Sequence, residues 1–251
     1  DTGIFDDNRY FDVFVEYAQA DPEDILMRVT AINRGPEPAP LHLLPQLWFR
    51  NTWSWSAGGA KPQLMDVDEA EVLAEHAALG SYRLYLDGAP GLLFTGNDTN
   101  VPGLYGGAVQ GYFKDAFHER VVDGNAAAVN PGRRGTKMAA WYQQQIAAGG
   151  SLEIRLRLCR KPVSLPFADF GEILARREAE ADEFYARVQH GIASEEARRV
   201  QRQAFAGLIW SKQFYYYDVP EWLNGDPAQP PPPASRKHGR NWEWQHLNNA
   251  D

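Results

Sequence analysis

The sequence predicts a mainly β protein, an antiparallel β-sandwich followed by helices. Three observations favour this fold class: apolar and polar residues alternate along much of the first 165 residues, glycines and prolines separate the alternating segments, and helical spacing replaces the alternation after Pro166. Many strands without intervening helices are typical of an antiparallel sandwich rather than a parallel sheet. The length of 251 residues allows one large domain or two small ones.

The first strands follow directly from this alternation. "YFDVFVEYA" predicts a strand with one apolar face, formed by Phe11, Val13, Val15 and Tyr17. "DILMRVTAIN" continues the same period, and the prolines of "NRGPEPAP" predict a turn after it. "LHLLPQLWF" predicts a further strand, with Pro45 at an edge or a bulge because proline has no N–H to donate.

Two hairpins and a short helix are predicted next. "SYRLYLDG" and "GLLFTGN" flank the turn sequence "DGAPG", and "TKMAAWYQQQIAAGGSLEIRLRLC" turns at Gly149 and Gly150. Between them, "YFKDAFHERVVDG" (112–124) places Phe113, Phe117 and Val121 four residues apart. That spacing predicts a helix with one apolar stripe.

Two longer helices are predicted after Pro166. "ADFGEILARREAEADEFYARVQHG" has helical spacing, and "SEEARRVQRQAFAGLIWSKQFYYY" begins with Ser194 as its N-cap. The second helix becomes apolar over a wide arc that includes Phe205, Leu208, Ile209 and Trp210. Such a helix is expected to be buried on more than one side. Because two helices offer too few neighbours, we expect its partners to lie outside this chain.

Two aromatic stretches are candidates for ligand contact. "GRNWEWQHLNNAD" (239–251) combines indoles, amides and a guanidinium in Arg240, Asn241, Trp242, Trp244, Asn248 and Asn249. "WFRNTWSWSAGG" (48–59) contains Trp53 and Trp55 beside polar residues. Aromatic rings with a few placed polar groups are typical of concave ligand sites, and indoles stack on sugar rings. The alternative is that these tryptophans pack at an end of the sandwich or at an interface.

Composition excludes several functions. A net charge of −8 disfavours proteins that bind nucleic-acid backbones or anionic membranes. With one cysteine no internal disulfide forms, and no apolar run is long enough to span a membrane. No phosphate-binding loop, metal-ligand spacing or nucleophile motif is present in the sequence. We therefore predict no cofactor, no metal, no nucleic-acid or membrane partner, and a cytoplasmic location.

Several stretches together resemble a known enzyme family. The resemblance is to the large bacterial glucosidase-type proteins of glycoside hydrolase family 63, relatives of mannosyl-oligosaccharide glucosidase, and it covers essentially the whole chain. It rests on extended similarity rather than on a short motif. The stretches that carry it are "FDDNRYFDVFVEYAQADPEDILMRVTAINRGPEPAPLHLLPQLWFRNTWSW", "KDAFHERVVDG…AVNPGRRGTK", "RQAFAGLIWSKQFYYYDVPEWLNGDP" and "GRNWEWQHLNNAD".

The resemblance implies a domain organisation. Residues 1–165 are expected to form a supersandwich-like β-domain that lacks its first strands. Residues 166–217 are expected to form the linker and the first helices of an (α/α)6 barrel, and residues 218–251 an irregular, proline-rich lead-in to the catalytic barrel. The family hydrolyses α-glucosidic linkages with inversion, through an Asp acid and a Glu base in that barrel. Neither carboxylate has a counterpart here, so we predict no catalytic residue in this chain.

Three functional hypotheses follow. The first is a non-catalytic N-terminal part of an inverting α-glucosidase-type hydrolase. It would pack on the barrel as its intramolecular partner, border the sugar site, and be inactive alone. The second is a self-sufficient carbohydrate-binding module that uses Trp53 and Trp55. The third is a purely structural domain, which predicts that Phe205, Leu208, Ile209 and Trp210 form an exposed apolar patch.

Overall fold

The computed structural model describes Gly3, Phe5 and residues 7–54, 60–211, 217–227 and 230–249. It consists mainly of antiparallel β-sheets, followed by helices towards the C-terminal end, which confirms the predicted fold class. The chain divides into two compact units. One comprises Asp1–Asn51 with Lys61–Arg177, and the other comprises Thr52–Ala60 with Glu178–Asp251.

The first unit contains two sheets. Its strands are β1 (Phe11–Asp21), β2 (Asp24–Asn33), β3 (Ala39–Leu43), β4 (Gln46–Trp48), β5 (Gln63–Asp68), β6 (Glu71–His76), β7 (Gly80–Leu86), β8 (Gly91–Thr95), β9 (Arg134–Gly135), β10 (Lys137–Ile146) and β11 (Ser151–Cys159). The larger sheet has the order β1–β2–β11–β7–β6–β5–β9. In the smaller sheet, β10 pairs with β3, β4 and β8, and the pairings in both sheets are antiparallel.

The main hydrophobic core lies between these sheets. Leu64 and Leu86 of the larger sheet cluster with Phe94 and Met138 of the smaller one, and all four side chains are fully buried. Because successive residues of a strand face opposite sides, each strand contributes every second residue to this core. The two sheets therefore form a sandwich.

The two predicted hairpins are wrong in their pairing, although the strands and turns exist. β7 pairs with β6 and β11, whereas β8 pairs with β10 in the other sheet. Likewise, β10 and β11 follow each other across Gly149 but belong to different sheets. An alternating pattern indicates which face of a strand is buried, not which strand lies beside it. Both turns carry the chain across the core instead of back along the same sheet.

The predicted strand around Pro45 is two strands. β3 ends at Leu43 and β4 begins at Gln46, and both pair with β10. Pro45 still contributes its carbonyl, which accepts a hydrogen bond of 2.9 Å from the Ala140 amide. The break falls where proline has no N–H to donate to the ladder.

Five α-helices lie in the described residues. They are α1 (Val101–Tyr105), α2 (Ala116–Val122), α3 (Phe170–Val188), α4 (Glu195–Ser211) and α5 (Val219–Asn224). Helix α2 is shorter than predicted and excludes Phe113; its Phe117 packs against Leu93 and Ala139. No helix in the described part of the chain combines the length and apolar character that crossing a bilayer requires.

The start of α3, assigned from sequence to the linker, packs on the larger sheet. Phe170, Ile173 and Leu174 cluster with Ala18 and Leu26 on the face of the sheet opposite the main core. These apolar contacts attach the first turns of α3 to the sheet.

A buried arginine supports the same junction. Arg157 donates from Nη2 to Asp24 at 2.6 Å, and from Nη1 to the Pro166 carbonyl at 2.9 Å and to Asp169 at 2.7 Å. Hydrogen bonding to the Asp24 carboxylate raises the pKa of Arg157 above its ordinary value. A buried charge is tolerated only with such partners, so this network fixes where the helix begins.

In the second unit, the C-terminal part of α3 and α4 form an antiparallel hairpin. Arg202 pairs with Asp182, and the rings of Tyr185 and Phe205 lie 6.4 Å apart. The hydroxyl of Ser194 accepts from the Ala197 amide at 3.3 Å, as the predicted N-cap should. No residue of α4 is buried.

Candidate functional site

The apolar end of α4 is exposed. Leu208 and Ile209 are 66% and 70% exposed, Trp210 is exposed beside them, and Phe205 is half-buried. The third hypothesis predicts an exposed patch, and three of its four residues fit that expectation. A contiguous apolar surface of this kind is typical of an interaction site.

The second candidate surface is the C-terminal segment, residues 217–249, whose two ends pair with each other. A short strand β12 (Tyr217–Asp218) pairs antiparallel with β13 (Asn248–Asn249), and the Val219 amide donates to the Leu247 carbonyl at 3.1 Å. Between these strands the sequence predicted irregular backbone, whereas the structure has α5 and a short 3-10 helix, Ala234–His238. The candidate residues therefore lie in a locally folded segment.

Helix α5 has the sequence signals of a capped helix. The Asp218 carboxylate accepts from the Glu221 amide at 3.0 Å, Pro220 occupies the first turn, and Gly225 with φ +79° ends the helix. Val219 and Leu223 are its buried anchors. "DVPEWLNG" contained these signals, and sequence reasoning missed them.

The proline run packs back on this helix. A Cβ built on Gly225 would lie 2.7 Å from Cδ of Pro232, so only glycine fits there without displacement. Pro233 has φ −61° and ψ 144°, the extended conformation typical of polyproline. The run thus serves as a stiff connector leading into the tryptophan-rich end.

Trp222 and Arg236 were not identified from sequence. The guanidinium of Arg236 lies 5.0 Å from the centre of the Trp222 ring and donates to the Trp222 carbonyl at 3.0 Å. These contacts join α5 to the 3-10 helix. They depend on residues fourteen positions apart, which no local pattern connects.

Asn241 is one of the predicted sugar-adjacent residues. Its backbone has φ 72°, a left-handed conformation that asparagine tolerates, and its amide nitrogen donates to the Tyr217 hydroxyl at 2.9 Å. The Asn241 carbonyl accepts from the Trp244 amide at 3.0 Å. Asn241 therefore holds the turn in place, and this positioning role is not apparent from its sequence neighbours.

The other candidates present mostly exposed side chains. Arg240, Trp242, Trp244 and Asn248 are exposed, and the Trp244 ring stacks on His246 at 5.7 Å. The Asn249 backbone, in β13, pairs with Tyr217 of β12. Exposed indole faces beside a guanidinium and an amide can contact a polyhydroxylated ligand.

Trp53 differs from these tryptophans because it is only 6% exposed. Stacking of a sugar on Trp53 would require its ring to be uncovered first. Trp55 lies outside the described residues. Thr52–Ala60 nevertheless belongs to the same compact unit as the C-terminal segment, although strands β5 to β11 lie between them in sequence.

The single cysteine is a packed thiol. Cys159 is buried, its Sγ donates to the Lys161 carbonyl, and burial raises the pKa of the thiol to about 11. A nucleophilic cysteine needs a lowered pKa and access. Within the described ranges, no group of three His, Cys, Asp or Glu side chains is arranged to hold a metal.

Comparison with known proteins adds a relative of unassigned function. The chain is 35% identical, over 283 aligned positions, to the uncharacterized protein YMR196W of Saccharomyces cerevisiae. The match includes 96% of this chain but 26% of the yeast protein, so the chain spans about a quarter of that relative's length. No protein-family model matches the chain.

Proposed function

We propose that this chain is the non-catalytic N-terminal part of an inverting α-glucosidase-type glycoside hydrolase. Its helices pack on a catalytic (α/α)6 barrel, and its C-terminal segment borders the sugar site. The observation that carries this proposal is the exposed apolar end of α4, including Leu208 and Ile209. A helix gains most of its stability by packing an apolar face, so this arc favours further helices beside it.

Two further observations support the proposal. The extended resemblance to glycoside hydrolase family 63 includes the segments that form α4 and the C-terminal turns. The yeast relative is about four times as long as the part that matches this chain, and that length can accommodate a catalytic domain. A cytoplasmic location for the whole protein belongs to the same proposal.

The C-terminal segment suits a position at the border of a sugar site. Its backbone is held by the β12–β13 pairing and the Asn241–Tyr217 hydrogen bond, while Trp242 and Trp244 stay exposed. A rigid support with exposed aromatic groups preorganises a binding surface. The catalytic Asp and Glu come from the barrel, outside this chain.

The purely structural hypothesis is the rival, because exposed Leu208 and Ile209 support it equally. The two hypotheses differ at Trp242 and Trp244. A purely structural domain does not require exposed indole faces, whereas a segment that borders a sugar site requires them to contact the sugar. The carbohydrate-module hypothesis gains no comparable support from the buried Trp53.

The first experiment compares this 251-residue chain with the longer parent protein. Both are assayed on p-nitrophenyl α-glucoside and α-linked disaccharides, with the anomer of the released sugar followed by NMR. We expect turnover with inversion from the parent and none from the segment, because the two carboxylates lie in the barrel. Turnover by the segment alone contradicts the proposal.

The second experiment distinguishes the hydrolase proposal from the purely structural hypothesis. In the parent protein, Trp242→Ala and Trp244→Ala are expected to lower kcat/KM about tenfold through lost sugar contact. Tyr105→Ala is the control, since Tyr105 is an exposed aromatic residue outside both candidate stretches, and it should leave kcat/KM unchanged. Unchanged kinetics in all three variants would favour the purely structural domain.

A further inference from the structure

The outer face of the smaller sheet, which points away from the main core, is only partly covered. Helix α2 packs on it through Phe117, which clusters with Leu93 of β8 and Ala139 of β10. Trp141 lies two residues beyond Ala139 on β10, so it shares this face and borders the cluster. Gln143, the next residue of β10 on the same face, is exposed. The covered part of the face therefore ends close to Trp141.

The Trp141 indole is held between two neighbouring strands. Its Nε1 donates to Nδ1 of His42 on β3 at 3.1 Å, and the centres of the two rings lie 5.6 Å apart. On its other side, Trp141 pairs with Gly91 of β8, and a Cβ built on Gly91 would lie 3.9 Å from Cε3 of the indole. Because both neighbours belong to paired strands, the ring has a rigid support.

Arg120 of α2 stacks on this indole. Its Cζ lies 5.0 Å from the centre of the Trp141 ring, and its side chain is half-buried. No described carboxylate lies within ion-pair distance of it: Asp123 at the end of α2 does not pair with it, and Glu119 is hydrogen-bonded to Asn125. A guanidinium stacked in this way uses its flat face for the ring and keeps the N–H donors of its edge available.

This arrangement differs from that of the arginines of the larger sheet. There the guanidinium groups form ion pairs with carboxylates of the same sandwich, in Arg28–Glu16, Arg83–Glu71, Arg155–Asp87 and Arg157–Asp24. Arg120 instead has a fixed position and no carboxylate partner among the described residues. Its donors can therefore serve an acceptor from outside the fold.

His42 supplies a second donor beside the same indole. Its Nδ1 accepts the indole hydrogen, so the neutral imidazole carries its proton on Nε2. Gln143 lies directly opposite His42 in the β3–β10 pairing and is exposed on the same face, where its amide adds further donors. A guanidinium, an imidazole and an amide thus surround one aromatic ring.

We propose that Arg120, His42 and Gln143 form a binding site for the anionic group of a small molecule, a carboxylate or a phosphate. The edge of the Arg120 guanidinium binds two oxygens of the anion side by side, and Trp141 fixes the plane of that guanidinium. His42 and Gln143 donate to the anion or to the body of the ligand. The net charge of −8 disfavours extended anionic surfaces, whereas one anionic group needs only local donors.

The test is an NMR titration of this 251-residue chain at constant ionic strength. The Trp141 Nε1–H resonance, identified by its loss in Trp141→Phe, is followed while inorganic phosphate, glucuronate or glucose is added to about 50 mM. Glucose resembles glucuronate but lacks the carboxylate. We expect a saturable shift with phosphate, with glucuronate or with both, and none with glucose. The anion that binds more tightly identifies the chemical class of the ligand.

Two variants test the role of the guanidinium. Arg120→Gln should raise the Kd of the anion at least about tenfold, because it removes a charge-assisted, two-point contact. Arg134→Gln, at an exposed arginine of β9, is the control and should leave the Kd unchanged. The absence of a saturable shift with either anion, an equal shift with glucose, or an unchanged Kd in Arg120→Gln overturns the proposal.

A third variant replaces Arg120→Gln if that protein does not fold. Arg120→Lys keeps the charge but loses the planar fork, so weaker anion binding supports the proposal and unchanged binding overturns it. The site lies within the sandwich, and the titration requires no turnover. Its outcome is therefore independent of the hydrolase assay.

Discussion

The apolar side chains of the sandwich are buried, whereas those at the C-terminal end of α4 are exposed. In the sandwich, Phe94, Leu64 and Met138 are fully buried between two sheets. In α4 no residue is buried, although its C-terminal end is strongly apolar. The same kind of apolar sequence pattern is therefore buried in one region and exposed in the other. Four predictions test this difference.

The largest expected effect is at the core. Phe94→Ala should lower the free energy of unfolding by about 3–5 kcal/mol, because it removes a fully buried ring and leaves a cavity. Ile209→Ala, at the exposed end of α4, should change it by less than about 0.5 kcal/mol. Urea denaturation measures both. Similar costs for the two variants would mean that the arc of α4 is covered within the segment.

The second prediction concerns ion pairs. Arg157→Ala should cost about 3–5 kcal/mol in unfolding free energy, because it leaves the buried carboxylate of Asp24 without its partner. Arg199→Ala is the control in α4, where the pair with Glu195 is solvent-exposed and contributes about 0–0.5 kcal/mol. A small loss for Arg157→Ala would show that the junction of sheet and α3 does not depend on this network.

The third prediction uses pH. The pKa of Cys159 rises from an ordinary value of 9.0 to about 11 in the fold, so folding favours the neutral thiol. The contribution of the neutral thiol to the free energy of unfolding is complete below pH 9 and is lost as pH rises through 11. The loss is about 2–3 kcal/mol, at roughly 1.4 kcal/mol per pKa unit. Between pH 8 and 11, the unfolding free energies of wild type and Cys159→Ala, measured by denaturation, should converge by that amount. Parallel curves would contradict a buried thiol.

The smallest effect is expected at the N-cap of α4. Ser194→Ala should cost about 0.5–1 kcal/mol, since the Ala197 amide loses its acceptor at the first turn. The thermal unfolding of the helical signal by circular dichroism measures this, with Ser194→Asp as the variant that retains a cap. If alanine and aspartate behave identically, the cap does not stabilise α4.

Much of the fold could be predicted where local chemistry decides it. The alternation of "YFDVFVEYA" and "DILMRVTAIN" predicted β1 and β2, and Ser194 marked the start of α4. β5 and β6 were not predicted, because the Asp residues of β5 and the Ala and Glu residues of β6 do not favour strands.

The candidate site was predictable only in part. The side-chain chemistry of Trp242 and Trp244 was apparent from sequence, and both are exposed. The support that holds them was not, since it joins Asn241 to Tyr217 and Arg236 to Trp222 across stretches with no shared pattern. The burial of Trp53 likewise has no local signal, because burial depends on what the rest of the chain places around it.

By itself, the sequence determined many of the strands and the two long helices, where several of them begin, and which face of each is apolar. Only the tertiary structure decided that β7 and β8 belong to different sheets, and that the apolar rows of β1 and α4 remain exposed. The physical reason is the distance along the chain over which each feature is determined. Periodicity and caps are set within a few residues, whereas strand pairing and burial depend on contacts between residues far apart in the chain.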